Sequence, residues 1–291
     1  MGLSMHSHHS AIRHLPTDGW GFAWTGDADQ GSGRTQPGNW LFNILPYIEQ
    51  NATYDMGSGL IGTAKLDAHR DRMGMPLPHI NCPSRRPAAA VKYPSGALSF
   101  INANRPEKVT RSDYAANGGD VEVSPSKPEL PKWISGPPNN DAGPANLTAG
   151  KSQLAMKTFK EKEYAANGLF FPGSVLSFKS VTDGTSKTLL IGEKMVSRKS
   201  KYTLHSGVRG DNEAALIGSN GDNTRWTGFS PASDYDENPE NSGIVFGSAH
   251  PGIFGTVFCD GSTRFLSNGI GPEVFRSIGH RSDGYPVGSI E

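Results

Sequence analysis

The sequence contains little cysteine, little charge and no long apolar run. Only two of its 291 residues are cysteines, and charged residues make up 19%, against about 25% in ordinary globular domains. Two cysteines are too few for a zinc site built from cysteine alone. No stretch approaches the roughly 18 apolar residues of a membrane-spanning helix, and no charged region followed by an apolar one opens the chain. Taken alone, and with Met1 as the native start, these absences favour a soluble, unsecreted protein.

The charge balance and the missing motifs exclude several functions. Lys and Arg together number 28, as do Asp and Glu, so the formal net charge is zero. Such a chain has no general attraction for nucleic acid or anionic membranes. The sequence contains no G-x-S-x-G, H-E-x-x-H, C-x-x-C or phosphate-loop motif. None of these standard signatures therefore points to an enzyme.

Glycine, proline and aromatic residues are abundant. The 36 glycines and 21 prolines interrupt nearly every window, which disfavours long regular helices. Thirteen Phe, eight Tyr and five Trp are too many for a disordered chain. These counts predict a loop-rich, β-dominated globular protein of one large domain or two small ones, long enough to bury a core.

Hydrophobic spacing predicts helices near the N-terminus and strands toward the C-terminus. We expect helices over residues 3–14, 39–54 and 62–73. Pro46 either kinks the second helix or marks its first turn. Strand-like runs cover residues 77–82, 168–171, 176–181, 188–191, 244–250, 254–259 and 262–266. Two long surface excursions are expected at residues 124–152 and 205–243.

Acidic residues in the second excursion offer the oxygen ligands that Ca²⁺ prefers. The candidates are Asp211, Asp222, Asp234 and Asp236. None lies in the 12-residue loop pattern of an EF-hand, so solvated loops are the alternative to a structural calcium site. The histidine cluster of His6, His8, His9 and His14 has two interpretations as well, a helix surface or an incomplete metal site.

His250 and Asp260 form a pair that suggests catalysis. In a β-hairpin, a histidine at one turn and an aspartate at the next could lie on the same side of the sheet, and such a pair can orient a nucleophile. The motif itself supplies no third member of a triad. The alternative is that both side chains bond to local backbone and stabilise the turns.

Four aromatic residues lie in segments rich in Gly and Asp, namely Trp20, Trp24, Trp226 and Tyr235. Exposed aromatic rings beside acidic groups are suited to stacking against sugars. A glycan- or protein-binding module outside the cell is therefore an alternative function. The competing interpretation is that these rings pack into the core.

Five sequence blocks, in order, resemble the DUF1559 family, a family of prepilin-like proteins of planctomycete bacteria. The C-terminal block has His250, nine further residues and then Asp260-Gly261, like the family's H-X9-DG motif. The other blocks are residues 39–50 (NWLFNILPYIEQ), 82–86 (CPSRR), 112–119 (SDYAANGG) and 181–193 (VTDGTSKTLLIGE). They contribute the motif residues Asp113, Gly118, Gly119, Asp183 and Gly184. The resemblance extends over nearly the whole chain.

The resemblance implies an α+β, pilin-like fold. Family members begin with a prepilin cleavage site and an apolar helix, as type IV pilins and type II secretion pseudopilins do. This chain lacks both, so Met1 is expected to be an engineered or misplaced start. Residues 1–16 would be the end of a longer helix that anchors the full-length protein in the inner membrane. Residues 17–291 would form a single β-rich head, an antiparallel sheet carrying the two excursions.

The same resemblance implies a periplasmic or extracellular setting and no catalytic residues. An oxidising compartment would favour a disulfide between Cys82 and Cys259, and the alternative is two free buried thiols. No cofactor is expected beyond the calcium candidates, and partners would be other pilin-like or secretion subunits or further copies of the chain. The predicted function is a non-enzymatic structural or secretion-associated subunit. The alternatives are the binding module and, third, a hydrolase that uses His250 and Asp260.

Overall fold

The computed structural model describes most of the chain in seven stretches. They are residues 1–93, 99–120, 142–157, 160, 166–198, 210–236 and 243–285. The two predicted excursions are therefore described in part, since residues 124–141, 205–209 and 237–242 lie outside these stretches.

The first helix, α1, covers Gly2–Ile12 and confirms the prediction over residues 3–14 to within two residues. It ends at Arg13, whose backbone is left-handed (φ 71°) and donates its N–H to the carbonyl of His9. One face of α1 buries Met5 and His8, whereas Leu3 is 81% exposed. The helix is thus anchored to the core along one side.

The second predicted helix is divided into short pieces. Helix α2 covers Trp40–Ile44, a 3₁₀ turn covers Leu45–Ile48, and α3 covers Asn51–Tyr54. Pro46 lies in the first turn of the 3₁₀ segment because proline has no N–H to continue the α-helical bonding. Helix α4 covers Gly62–Met73, as predicted. Within the described stretches, the helix Leu147–Gly150 and the C-terminal helix Pro272–Gly279 follow.

The described stretches contain nine short strands. They are β1 Val91–Lys92, β2 Lys108–Val109, β3 Tyr114–Asn117, β4 Leu189–Glu193, β5 Thr224–Arg225, β6 Ala232–Ser233, β7 Gly247–Ser248, β8 Ile253–Phe258 and β9 Thr263–Ser267. The central sheet has the order β5-β3-β4-β8-β9. Strands β3 and β5 are parallel, whereas the other neighbours are antiparallel. The α+β class is confirmed, but the sheet is mixed rather than purely antiparallel.

Three predicted strands are wrong. Residues 77–82 contain a 3₁₀ turn at Pro78–Ile80, since Pro78 has no N–H for a strand ladder. Residues 176–181 also contain a 3₁₀ turn, Phe178–Ser180. Residues 168–171 form no strand because the N–H groups of Leu169 and Phe170 both donate to one carbonyl, that of Asn117.

The C-terminal hairpin is as predicted, whereas its neighbour is not. Strands β8 and β9 pair around Asp260-Gly261, where an Asp260 carboxylate oxygen accepts the N–H of Ser262 at 2.8 Å and Gly261 has φ 86°. The run 244–250 contributes only β7, which pairs in parallel with β6 rather than with β8.

The central sheet separates two apolar clusters. On one face, Met5 of α1 and the residues of α2 pack with Ile191 of β4. On the other face, Phe254 and Phe258 of β8 pack against Phe275 of the C-terminal helix. Among the helices of the described stretches, none combines the length and apolar character that crossing a bilayer requires.

Candidate functional site

A cavity of about 460 Å³ opens beside the start of α1 and the central sheet. Its walls include Gly2, Tyr114, Val257 and Phe265, and three polar side chains face one another there: Cys82, Glu193 and His250. These three residues come from three separate blocks of the family-like sequence. The fold therefore brings together motifs that lie far apart along the chain.

The three polar side chains approach one another closely. The Sγ atom of Cys82 lies 3.6 Å from Nε2 of His250, and the same nitrogen lies 3.6 Å from Oε1 of Glu193. One potential ligand atom from each residue lies within 4.8 Å of the other two. Cys82 and Glu193 are buried, and His250 is half-buried at the cavity edge.

Backbone hydrogen bonds hold two of these residues in place. The N–H of Cys82 donates to Oδ2 of Asp113 at 2.8 Å. Glu193 ends β4, and its Oε2 accepts the N–H of Gly255 on the adjacent strand β8 at 2.7 Å. The buried Oε1 of Glu193 accepts no hydrogen bond from the described residues. Glu193 is therefore fixed through Oε2, and its Oε1 is the atom that faces His250.

The third residue is positioned by a turn. The N–H of His250 donates to Oγ of Ser248 at 2.9 Å, and that hydroxyl donates to the carbonyl of Ile253 at 2.6 Å. This local network holds His250 just before β8, with its ring toward Cys82 and Glu193.

The Cys82 thiol is poorly suited to act as a nucleophile, because its environment favours the protonated form. Burial and the neighbouring Glu193 carboxylate raise the pKa of the Cys82 thiol, so the thiol form is favoured, whereas a thiolate is needed for attack. Burial together with Cys82 and Glu193 raises the pKa of Tyr114 to about 12. One nitrogen, Nε2 of His250, faces both Cys82 and Glu193, whereas a triad needs the two imidazole nitrogens on different partners. The cluster can, however, present sulfur, nitrogen and oxygen ligands to one metal ion.

A buried network of charges lies behind the cluster, and Asp113 connects the two. Oδ1 of Asp113 lies 2.6 Å from the Arg86 guanidinium and 3.3 Å from that of Arg85. Arg86 also contacts Asp211 at 2.6 Å, and Lys194 contacts the same carboxylate at 3.2 Å. Burial alone would lower the pKa of Arg86, but Asp211 and Asp113 raise it above its ordinary value.

The structure places the calcium candidates inside the protein's own ion pairs and turns. Asp211 pairs with Arg86 and Lys194, and Asp234 pairs with Arg85. Oδ2 of Asp222 accepts the N–H of Glu213 at 2.6 Å. Asp236 is exposed near the end of a described stretch. Within the described stretches, none of the four belongs to a cluster of three or more potential metal ligands.

His250 and Asp260 have different contact partners and do not form a pair. His250 faces Cys82 and Glu193, whereas the Asp260 carboxylate accepts the Ser262 N–H in the exposed β8–β9 turn. The Asp260 contact agrees with the interpretation that this side chain stabilises the turn, and the acid beside His250 is Glu193. Glu193 was not among the candidates, although it is the last residue of a family-like block, and Cys82 was considered only for a disulfide.

The remaining motif residues form turns. Gly119 and Gly184 have φ of +106° and +104°, and Gly118 packs beside Trp226. The Asp183 carboxylate accepts the N–H groups of Asp283 at 2.6 Å and Gly284 at 2.9 Å. His280 lies close enough to complete a second cluster of potential ligands with the two aspartates.

Cys82 and Cys259 are both buried free thiols. The disulfide implied by the resemblance is thus not formed between these two described residues. Cys259 packs in the core cluster with Met5 and Ile191, whereas Cys82 faces the cavity. The two thiols belong to different environments.

Packing of the tryptophans into the core is confirmed. Trp20, Trp24 and Trp226 are between 0 and 4% exposed, so they present no face to a sugar. Tyr235 is 54% exposed and its ring lies under the Arg198 guanidinium at 4.8 Å. The histidine cluster packs as well: His6 stacks on Phe178, and His8 is buried.

Comparison with known proteins identifies a family. A family model described as "Protein of unknown function (DUF1559)" matches residues 1–273. No curated protein matches the chain, and no solved structure matches it.

Proposed function

We propose that this chain, which belongs to the DUF1559 family, is a non-enzymatic, pilin-like subunit of the bacterial cell envelope. The family is bacterial and often associated with secreted or envelope proteins. The proposed role is structural or secretion-associated, with other pilin-like subunits or further copies of the chain as partners.

The observation that carries this proposal is how α1 sits on the sheet. Met5 is buried in the core that α1 shares with α2 and β4. At its N-terminal end, Gly2 lies against Val257 of β8, so close that a Cβ at Gly2 would overlap that side chain. The first helix packs on one face of the sheet and begins at the surface of the sheet. This arrangement supports a pilin-like fold.

The cavity supports one part of the non-enzymatic proposal, because its chemistry argues against catalysis by a Cys82 thiolate. The Cys82 thiol has a raised pKa, and Cys82 and Glu193 share a single nitrogen of His250. Both features disfavour a thiolate relay. The exposed apolar side chains of Leu3 and Phe265, 81% and 71% accessible, offer surface to a partner.

The test is to follow the chain in its native bacterium. The genomic reading frame upstream of Gly2 should encode a prepilin-type cleavage site followed by an apolar helix continuous with α1. An epitope-tagged copy expressed from that frame should fractionate with the inner membrane and become shorter only when prepilin peptidase is active.

The matched control is the same copy with the residue before the cleavage point changed, which should remain uncleaved. A reading frame without an upstream apolar helix, or a tagged protein found only in the cytoplasm, would overturn the proposed function.

A further inference from the structure

We propose that Cys82, Glu193 and His250 bind one zinc-class divalent cation through Sγ, Oε1 and Nε2. This inference rests on the geometry of the cavity and does not depend on the pilin-like role. It names a metal site formed by three residues that the fold, rather than the chain order, brings together.

Two of the separations match those between ligand atoms of one zinc ion. Zinc bonds of about 2.3 Å to sulfur and about 2.0–2.2 Å to nitrogen or oxygen, at tetrahedral angles, place neighbouring ligand atoms about 3.3–3.6 Å apart. Both Sγ–Nε2 and Nε2–Oε1 measure 3.6 Å. A nitrogen–oxygen distance of 3.6 Å is too long for a good hydrogen bond, so the ring and the carboxylate lie at ion-pair distance only.

The second, independent observation is a buried carboxylate oxygen that meets no hydrogen-bond geometry, although the Cys82 thiol and the His250 ring lie beside it. Glu193 is 3% exposed, and its buried Oε1 accepts no hydrogen bond from the described residues while it points at His250 and Cys82. An ionised oxygen in that state is costly unless a cation or donor compensates it. The other oxygen, Oε2, is held by the Gly255 N–H, which is the kind of outer support that orients metal ligands.

The donor set selects the class of ion. Calcium and magnesium take oxygen ligands almost exclusively, whereas one thiolate, one imidazole and one carboxylate suit zinc and its neighbours. Binding would displace the thiol proton of Cys82 to solvent, because the thiolate is the ligand. Three protein ligands leave a fourth position toward the cavity, where a water molecule fits.

The second cluster of potential ligands makes a useful contrast. In the group of Asp183, His280 and Asp283, both carboxylate oxygens of Asp183 already accept backbone N–H groups. Nδ1 of His280 also accepts the N–H of Ser282. These atoms already accept backbone hydrogen bonds that stabilise the turn. Asp183 therefore provides a control position rather than a competing metal site.

The test is metal binding by the purified, reduced and chelator-stripped protein. Titration with zinc against a chromophoric chelator should give one equivalent per chain. Titration with cobalt should give the intense visible bands of a tetrahedral ion and a thiolate-to-cobalt charge-transfer band in the near ultraviolet. The cobalt spectrum is recorded on the unmodified protein, so it tests thiolate coordination even if a variant fails to fold.

Variants assign the ligands. Cys82→Ser should abolish the charge-transfer band, and His250→Ala and Glu193→Gln should each weaken binding by more than about 100-fold, beyond the usual effect of losing an outer-shell partner. Cys259→Ala removes the other thiol, and Asp183→Asn alters the other cluster. Both controls should keep one equivalent and the full spectrum.

Two results would overturn the proposal. One is a wild-type protein that binds no zinc or shows no thiolate band with cobalt. The other is a folded Cys82→Ser variant, verified by its thermal melting, that binds zinc as tightly as the wild type. Neither result bears on membrane anchoring, so the metal site and the envelope role fail or survive separately.

Discussion

Arg85 and Asp234 form a two-point ion pair in the interior, between residues 149 positions apart. Nε of Arg85 donates to Oδ2 of Asp234 at 2.7 Å, and Nη2 donates to Oδ1 at 3.2 Å. Both side chains are fully buried. The pair connects the CPSRR block to the second excursion just after β6, and Oδ1 of Asp234 also accepts the N–H of Val196 at 2.8 Å.

We expect Asp234→Asn to lower the free energy of unfolding by about 3–5 kcal/mol, because it leaves a buried guanidinium with too little negative charge. Urea denaturation followed by circular dichroism measures the loss. The control is Asp236→Asn, an exposed position two residues along, which should change stability by less than about 0.5 kcal/mol. Equal effects at the two positions would contradict the importance of the buried pair.

Asp18 should make stability depend on pH. Its carboxyl group is fully buried and accepts hydroxyl hydrogen bonds from Ser219 at 2.5 Å and Thr224 at 2.9 Å. Burial raises its pKa to about 7, above the unfolded value of about 3.9. The folded state therefore keeps a proton that the unfolded chain has lost, so this stabilising contribution is present below pH 4 and lost as pH rises to about 7.

Asp18→Asn removes this titration and isolates its contribution. The unfolding free energy of the wild type minus that of the variant should fall between pH 4 and 7, by at most about 1.4 kcal/mol per pH unit, and level off above pH 7. Comparing the two proteins cancels other groups such as Glu213, whose pKa burial also raises to about 7. A difference that stays constant from pH 4 to 8 would show that Asp18 ionises normally.

Gly119 and Gly184 provide a matched test of backbone strain against crowding. Their φ angles are nearly equal, +106° and +104°. A Cβ at Gly119 would overlap Asn167 and the backbone of Gly168, whereas nothing lies within 4 Å of one at Gly184. We expect Gly184→Ala to cost about 1–3 kcal/mol from strain alone and Gly119→Ala to cost clearly more. Similar losses in chemical denaturation would mean that strain alone governs both sites.

Truncation of two phenylalanines should change stability by very different amounts. Phe275 in the C-terminal helix is fully buried against Phe254 and Phe246, so Phe275→Ala should cost about 3–5 kcal/mol. Phe265 on β9 is 71% exposed, and Phe265→Ala should change stability by less than about 0.5 kcal/mol. Denaturant midpoints measure both. A small loss at Phe275 would show that the C-terminal helix is not part of the cooperative core.

Local signals in the sequence were enough to predict part of the fold. The spacing around α1 and α4, the position of Pro46 in a first turn and the Asp260-Gly261 turn are decided by neighbours a few residues apart, and the structure agrees with them. The strand predicted over residues 77–82 failed because Pro78 outweighs the apolar run that surrounds it.

The candidate site was much less accessible to sequence reasoning. His250 was singled out, but it was paired with Asp260, its partner in the motif. The structure instead places Glu193 beside it, because β4 and β8 are neighbours in the sheet. The aspartates considered for calcium are likewise drawn into pairs with Arg85 and Arg86.

The sequence by itself determined the family, the mixed helix and strand content and the principal turns, since each depends on residue types at short, ordered spacings. Only the tertiary structure decided which charges neutralise one another and which side chains meet at the cavity. Those contacts depend on strand order and on which face each side chain takes. Cys82, Glu193 and His250 are far apart in the chain and lie within 4.8 Å of one another only in the folded protein.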